Sequence, residues 1–530
     1  MDRSKNLIFI KGIDKTGEVE TCDWNSTIKR YDVTFRNGDG KQYPYNSSSI
    51  EWVKNPKILK PQSVRIIHAG KELSGISTIS IFSASDTDYW HFRFSNNYER
   101  LYNCNDLEIS HSCLSEDETQ ICMNYLRDIA SIYKLPDEDK ETLLQKRYEK
   151  LGFIGAETAM AVYMNPKKHE IKSFDRRSFI FPFGGNSSQF KAVTNALTNQ
   201  ISVIQGPPGT GKTQTILNII ANLLIMGKNV QIVSNNNSAT LNVYEKLSDV
   251  SYNLGFLVAT LGKNDNKKDF IDNQSELYPI LTDWKLETER KSELKVKIQM
   301  NTQELSEAFS AQERLAQARI ELSALELEIR YFELYCNEAG LTYPDERFIN
   351  TRNTDRIMHL WLQCNEYSEK ERVIALWFKI KSIFLYGIFD WALYRYDLST
   401  IIIATQNRYY RLKQSELIKE IANLEAFLLK TNAEEKMKEL KERSLRYLHA
   451  VLFERYGGKQ ERKRFSEDDL WKNADEIVKE YPIVLSTTFS SRSSLRGVTY
   501  DYLIMDEASQ VDIATGALAL SCAKNAVIVG

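Results

Sequence analysis

Eight residues, Gly206-Pro207-Pro208-Gly209-Thr210-Gly211-Lys212-Thr213, interrupt an apolar stretch that runs from Ile201 to Leu224. They satisfy the pattern G-x-x-x-x-G-K-[ST] in full. The β-branched run Ile201-Ser202-Val203-Ile204 before them reads as a strand, and the segment from Thr213 to Leu224 after them reads as a helix. In that setting, glycines let backbone N–H groups converge on the β- and γ-phosphates of a nucleotide, and the helix start adds its dipole. Lys212 brings a positive charge to the same oxygens. The Thr213 hydroxyl offers a ligand to Mg²⁺ carried in with the nucleotide.

Far downstream, an apolar strand from Tyr502 to Met505 delivers Asp506 and Glu507 at its carboxyl end. An isolated Asp-Glu pair is usually a solvated surface feature. After an apolar strand, in a chain with a phosphate loop, adjacent carboxylates divide the work of phosphoryl transfer. Asp506 holds Mg²⁺, usually through water, while Glu507 orients and deprotonates the attacking water.

The elements that position these groups can be read at coarse grain. At 42% hydrophobic and 26% charged residues, the composition is that of ordinary globular material. A net charge of −2 excludes a wholly basic nucleic-acid coat but leaves room for a local basic groove. Seven cysteines, none paired as C-x-x-C, and six scattered histidines give no metal-site spacing and suggest reduced, intracellular thiols. The first twenty residues hold too short an apolar run for a signal peptide. Val373 to Trp391 is nearly apolar, yet Lys379 and Lys381 sit in its middle, and each would cost about 2.5–3.5 kcal/mol in a membrane span. No membrane association and a cytoplasmic location are therefore expected.

Residues 1–110 read as β-rich. Tyr31 to Tyr45 alternates, with Val33 and Phe35 on one face, and carries the turn signals Asn37-Gly38 and Asp39-Gly40. Trp90, Phe92 and Phe94 alternate in the same way and are expected to fill a core. Between Asp117 and Phe153 the pattern turns helical, with a break at Pro136. From Asp283 the apolar positions Leu294, Ile298, Leu305, Ala308, Leu315, Leu322, Leu325, Ile329 and Phe332 recur at steps of three, four and seven. A second arm repeats this from Leu417 through Leu448. Such stripes predict a coiled-coil-like antiparallel helical stalk with Val373–Trp391 near its tip, packed on itself or docking a partner. The basic cluster in Tyr456–Phe465 reads as a solvated loop.

Two known families place a helical excursion between a phosphate loop and its acidic motif. The ABC-type ATPases of chromosome structure and repair need an LSGG-like signature shortly before the acidic motif. Leu485-Ser486-Thr487-Thr488 stands there instead, and Leu73-Ser74-Gly75 lies far upstream. Helicase superfamily 1, class B, fits better. Gly185 to Val193 resembles its N-x-S-Q element, and Gln205–Thr213 has its form of the loop. Val233 to Leu247 is similar to its first nucleic-acid motif, Val484 to Ser491 to its strand and loop before the acidic motif, and Asp506–Gln510 to the acidic motif itself. This is the branch of the nonsense-mediated-decay helicase and senataxin.

The resemblance implies an α/β fold. Its RecA-like P-loop NTPase core would occupy residues 179–282 and 481–530, interrupted by a mostly helical stalk over 283–480. An N-terminal β-rich domain (1–110) and a helical linker (111–178) would precede it. It implies ATP as nucleotide, with Gln189 reading the adenine edge, and Gly206, Gly209, Thr210, Gly211, Lys212 and Thr213 holding the phosphates. Asn237, Ser238, Thr487 and Thr488 would touch the backbone of a single strand of RNA or DNA, although Asn237 and Thr487 are equally readable as local turn and cap residues. Movement would run 5′ to 3′. In the family the strand corresponding to Lys524–Gly530 leads into a second RecA-like domain, so this chain is expected to be the front part of a helicase and weak in hydrolysis alone. The alternative is a nucleotide-gated nucleic-acid sensor that unwinds nothing. A protein partner is expected, if anywhere, at the stalk tip or the β-domain.

Overall fold

Val230–Ser234 is buried at all five positions, Gln231 and Ser234 included, as a strand covered on both faces must be. It lies inside a six-stranded sheet whose order is Ile201–Ile204, Ala523–Val529, Tyr500–Met505, Val230–Ser234, Ile483–Thr487, Val258–Thr260. Every neighbouring pair is parallel. Register aligns the carboxyl ends: Ile204 pairs with Val529, Met505 with Ile528 and Val233, and Ser234 with Thr487. The loops leaving Ile204, Ser234, Thr487 and Met505 therefore emerge along one edge. This is the α/β core that the motifs imply, and the long excursion between its halves closes back onto neighbouring strands.

The computed structural model describes every residue except 39, 133–142, 343–348, 350–352, 370–375 and 387–390. Pro136, Asp39 and parts of the Val373–Trp391 stretch thus lie outside the described residues. The chain divides into two units. One comprises Met1–Phe174, Lys191–Lys285 and Val451–Gly530; the other comprises Asp175–Phe190 and Leu286–Ala450.

In the first unit, the N-terminal region forms small antiparallel sheets. Arg30–Phe35 pairs with Val19–Asn25 and Gln42–Asn46, and Val33 is buried with Ile8, Ile10, Val19, Cys22 and Ile50. A second cluster gathers Val64, Ile66, Ile79, Trp90, Phe92 and Tyr102, with Phe94 packed at its margin. The alternating aromatics do fill a core. The helices Asp117–Ile132, Leu143–Glu149 and Ala159–Met164 are more than a linker. Met123, Leu126, Leu144, Tyr148 and Met160 share one core with Ala514, Ala517 and Leu518 of the helix Ile513–Leu520, and Tyr148 Oη donates to the Ala514 carbonyl at 2.6 Å. All seven cysteines are free thiols.

The second unit is helical. Thr288–Glu338 is one helix of 51 residues, free of Pro and Gly. It pairs antiparallel with Leu398–Thr431 and the start of Ala433–Tyr456: Phe332 lies on Tyr410, Arg314 on Glu420, and Asn301 on Glu439. Ile298, Leu305, Ala308, Leu315, Leu325 and Phe332 of the stripe are buried, as are Leu417, Leu440 and Leu448 opposite. Asn432, at φ 47°, breaks the second arm in the left-handed region that asparagine tolerates. Near the far end, Phe378 and Tyr386 are buried with Ile357, Leu360, Cys364 and Leu393, so the apolar tip packs in part on itself. Trp377 and Phe384 remain 74% and 79% exposed. Among the described residues no helix is long and apolar enough to cross a membrane.

Candidate nucleotide site and its neighbouring loops

The phosphate loop is shaped by its glycines for two different reasons. Gly209 and Gly211 sit at φ 84° and 82°, where a Cβ is strained. At Gly206 a Cβ would lie 2.7 Å from Thr210 Oγ1, which itself donates to the Pro207 carbonyl at 2.8 Å. Thr210 thus braces the loop from within. Gly211 is the N-cap of the helix Lys212–Ile225 and supplies no side-chain cap. The start of that helix carries the positive end of its dipole, where an anion is favoured. Its other end is closed: Arg455 donates to the carbonyls of Leu224 (2.6 Å) and Ile225 (3.3 Å), a cation at a helix C-terminus. Lys212 Nζ rests on the carbonyls of Gly206 (2.5 Å) and Pro207 (3.3 Å).

Across the edge, Asp506 N–H donates to the Val233 carbonyl at 2.8 Å, and Asp506 Oδ1 accepts from the Glu507 N–H at 2.9 Å. Burial raises the Asp506 carboxyl above the usual aspartate range, against the opposing pull of the Glu507 N–H and the Lys212 charge. Glu507 is half-buried at φ 53°, a left-handed conformation unusual for a side-chain-bearing residue, and its Oε2 is buried without a hydrogen-bond partner. Strain and an orphaned carboxylate oxygen together mark a group held ready for something outside the chain. No group of three or more His, Cys, Asp or Glu side chains suited to a metal occurs among the described residues. The hydroxyl of Thr213 and the carboxylate of Asp506 are oxygen donors of the kind Mg²⁺ takes.

Gln189 belongs to the second unit, and there it has a structural duty. Asn186 Oδ1 accepts from the Gln189 N–H at 3.0 Å, and Gln189 Oε1 accepts from the Asn186 N–H at 2.9 Å. This reciprocal pair is a capping box at the start of the helix Ser187–Thr198. The spacing Asn-x-x-Gln is the signal that could have found this cap.

The residues expected to meet nucleic acid sit on two adjacent loops. Asn236, which sequence reasoning missed, is the N-cap of Asn237–Ser248: its side chain accepts from the Ser238 N–H at 3.0 Å. Ser238 is exposed, and Asn237 begins the helix. Asn235 Nδ2 donates to the Gln510 carbonyl at 3.0 Å, tying this loop to the one after the acidic pair. Thr487 is half-buried and its hydroxyl accepts from the Ser490 N–H at 3.1 Å, the turn role left open above. Thr488 is fully buried and its hydroxyl is unpartnered among the described residues. Beneath this loop Arg147 donates to the Phe489 carbonyl and covers the Phe489 ring at 3.8 Å. Its place in a helix before the core gave no signal of that.

In the basic stretch after the stalk Lys459, Lys463 and Arg464 are exposed, as a solvated loop requires, and Arg462 alone is not. Arg462 is 7% exposed; its Nε bonds Glu480 at 2.6 Å and its Nη2 the Phe256 carbonyl at 2.7 Å. Tyr278 Oη donates to the same carboxylate at 2.6 and 2.7 Å. A buried, hydrogen-bonded ion pair thus joins both ends of the excursion to the core.

A parallel sheet with a phosphate loop and an acidic pair at one edge defines a P-loop NTPase core. Residues 184–530, well over half of the chain, match the AAA domain family. The chain belongs to that family, in the superfamily 1 helicase branch that includes the nonsense-mediated-decay helicase and senataxin. It is similar to the DNA polymerase alpha-associated DNA helicase A of Schizosaccharomyces pombe (41% identity over 64 residues, 12% of this chain and 10% of that one). It also resembles Regulator of nonsense transcripts 1 of Caenorhabditis elegans (33% over 110 residues, 21% and 10%). An uncharacterized ATP-dependent helicase of Mycoplasma genitalium shares 43% over 61 residues, 12% of this chain and 5% of its own. The matched segments span a tenth or less of these curated relatives.

Proposed function

We propose that the chain carries the first nucleotide-binding half of an ATP-dependent helicase or translocase acting on a single strand of RNA or DNA. The observation that supports this most is the register of the parallel sheet. It sets the phosphate loop, the acidic pair, and the Asn236 and Thr487 loops along one edge.

In this reading the ATP phosphates take the N–H groups at the start of the helix Lys212–Ile225. Lys212 exchanges the Gly206 and Pro207 carbonyls for phosphate oxygens. Thr213 and Asp506 hold Mg²⁺, which would neutralise phosphate charge. Glu507 orients the attacking water and accepts its proton at Oε2. Gln189 recognises the adenine edge as far as its cap allows. Ser238, Thr487 and the backbone around them grip the strand without reading sequence. The Asn235–Gln510 bond is one route by which the nucleotide state reaches the strand loop. Trp377 and Phe384 at the stalk tip support the expectation of a protein partner there, and a cytoplasmic location remains our expectation.

Slow turnover of this chain by itself remains our expectation. The test is ATP hydrolysis with and without single-stranded RNA or DNA, followed by strand displacement, on the chain and on the longest natural product of its gene. Stimulation with strand release supports the proposal. Strand-stimulated hydrolysis without release would point instead to a nucleotide-gated sensor.

A further inference from the structure

Beside the edge strand Val258–Thr260 and its neighbour Ile483–Thr487 lies a cleft of about 540 Å³, within the roughly 300–1,000 Å³ typical of small-ligand sites. Thr240 lines it, directly after Asn237-Ser238-Ala239. Ser486 lines it too, directly before Thr487. The cleft is therefore continuous with the residues proposed above to hold a strand.

Its walls are aromatic and amide-bearing, and the one cation among the described residues that line it, Arg462, is neutralised by Glu480. Phe270 packs edge-on against Tyr481 at 4.9 Å, and Phe256 packs on Tyr456 and Trp284. Tyr244, half-buried on the helix Asn237–Ser248, has no ring partner among the described residues. The facing helix Asn264–Asp272 presents Asn266 and Asp269, three apart and so on one side. Neither side chain makes a hydrogen bond among the described residues. A carboxylate repels phosphate and accepts N–H groups, while an amide both donates and accepts. An aromatic face beside such a pair suits a nucleobase and disfavours the sugar–phosphate chain.

We propose that this cleft receives one unstacked nucleobase of the bound strand, its face against Tyr244 and its N–H edge toward Asp269 and Asn266. The inference rests on the strand-binding reading above and adds a base subsite to it. Stacking on one ring makes a single base worth roughly tenfold or more in affinity.

The test uses the full chain and a short single strand, in RNA and in DNA form, with one abasic step walked along it. We expect one abasic position to weaken binding about tenfold. Tyr244→Ala should weaken the intact strand to the same extent and be indifferent to the abasic step at that position, whereas Tyr244→Phe, which keeps the ring, should behave as the parent. Intact and abasic strands bound equally well at every position by the unaltered protein would overturn the base subsite while leaving strand binding in place. So would a Tyr244→Ala variant of full affinity, which would hand the cleft to another occupant such as a protein segment. Absence of any strand binding would overturn the strand-binding reading and this inference together.

Discussion

Glu507 sits at φ 53° and keeps one carboxylate oxygen buried and unpaired. A side-chain-bearing residue in such a conformation costs about 1–3 kcal/mol. Glu507→Gly should therefore raise the unfolding free energy by about 1 kcal/mol in chemical denaturation while ending ATP turnover. A loss of stability would mean that the glutamate side chain supports the fold. The loop was legible in the sequence because its geometry leaves little choice: Gly209 and Gly211 need positive φ, and Lys212 must follow them onto the helix start. Thr487 and Thr488 were not separable in the same way. Ile483–Leu485 are buried on both faces of a parallel strand, so no alternation tells which threonine faces outward.

Elements explain what single residues cannot. Asp397 caps the helix Leu398–Thr431, and the hydroxyls of Ser399 and Thr400 with the Thr400 N–H hold its carboxyl down to about 2. A carboxyl depressed in the folded state adds stability above its ordinary value of 3.8, and that contribution fades as pH falls toward 2. Asp397→Ala should cost about 1 kcal/mol at neutral pH and nearly nothing near pH 2, as unfolding curves at the two pH values would record. Arg462 carries a larger load. Arg462→Met leaves Glu480 buried with only the Tyr278 hydroxyl, and should destabilise the first unit by about 3–5 kcal/mol in denaturant titration. A change below about 1 kcal/mol would mean that the pair is structurally idle. The long helix was readable from its stripe, because helical spacing is local. The Arg462 pair was not, because Glu480, Tyr278 and Phe256 meet it only after the chain has folded back.

At the scale of the whole molecule, a sheet order that runs first, sixth, fifth, second, fourth, third lets a chain leave its core after one half of a site and return for the other. The excursion can then grow without disturbing the chemistry, since its returning end is fastened to the core by Arg455 on the phosphate-loop helix and Arg462 on the Phe256 carbonyl, and Tyr278, just before its outgoing end, bonds Glu480. Residues 184–530, stalk included, match the AAA domain family, and the N-terminal sheets precede that match. The central claim is that Lys212 binds the phosphates and Glu507 acts on the water. It is tested most directly by measuring ATP affinity and single-turnover hydrolysis side by side in Lys212→Ala and Glu507→Gln. Lys212→Ala should lose binding. Glu507→Gln should bind ATP as the parent does but hydrolyse it about 10²–10⁴-fold more slowly. Glu507→Gln turning over ATP at the parental rate would contradict it.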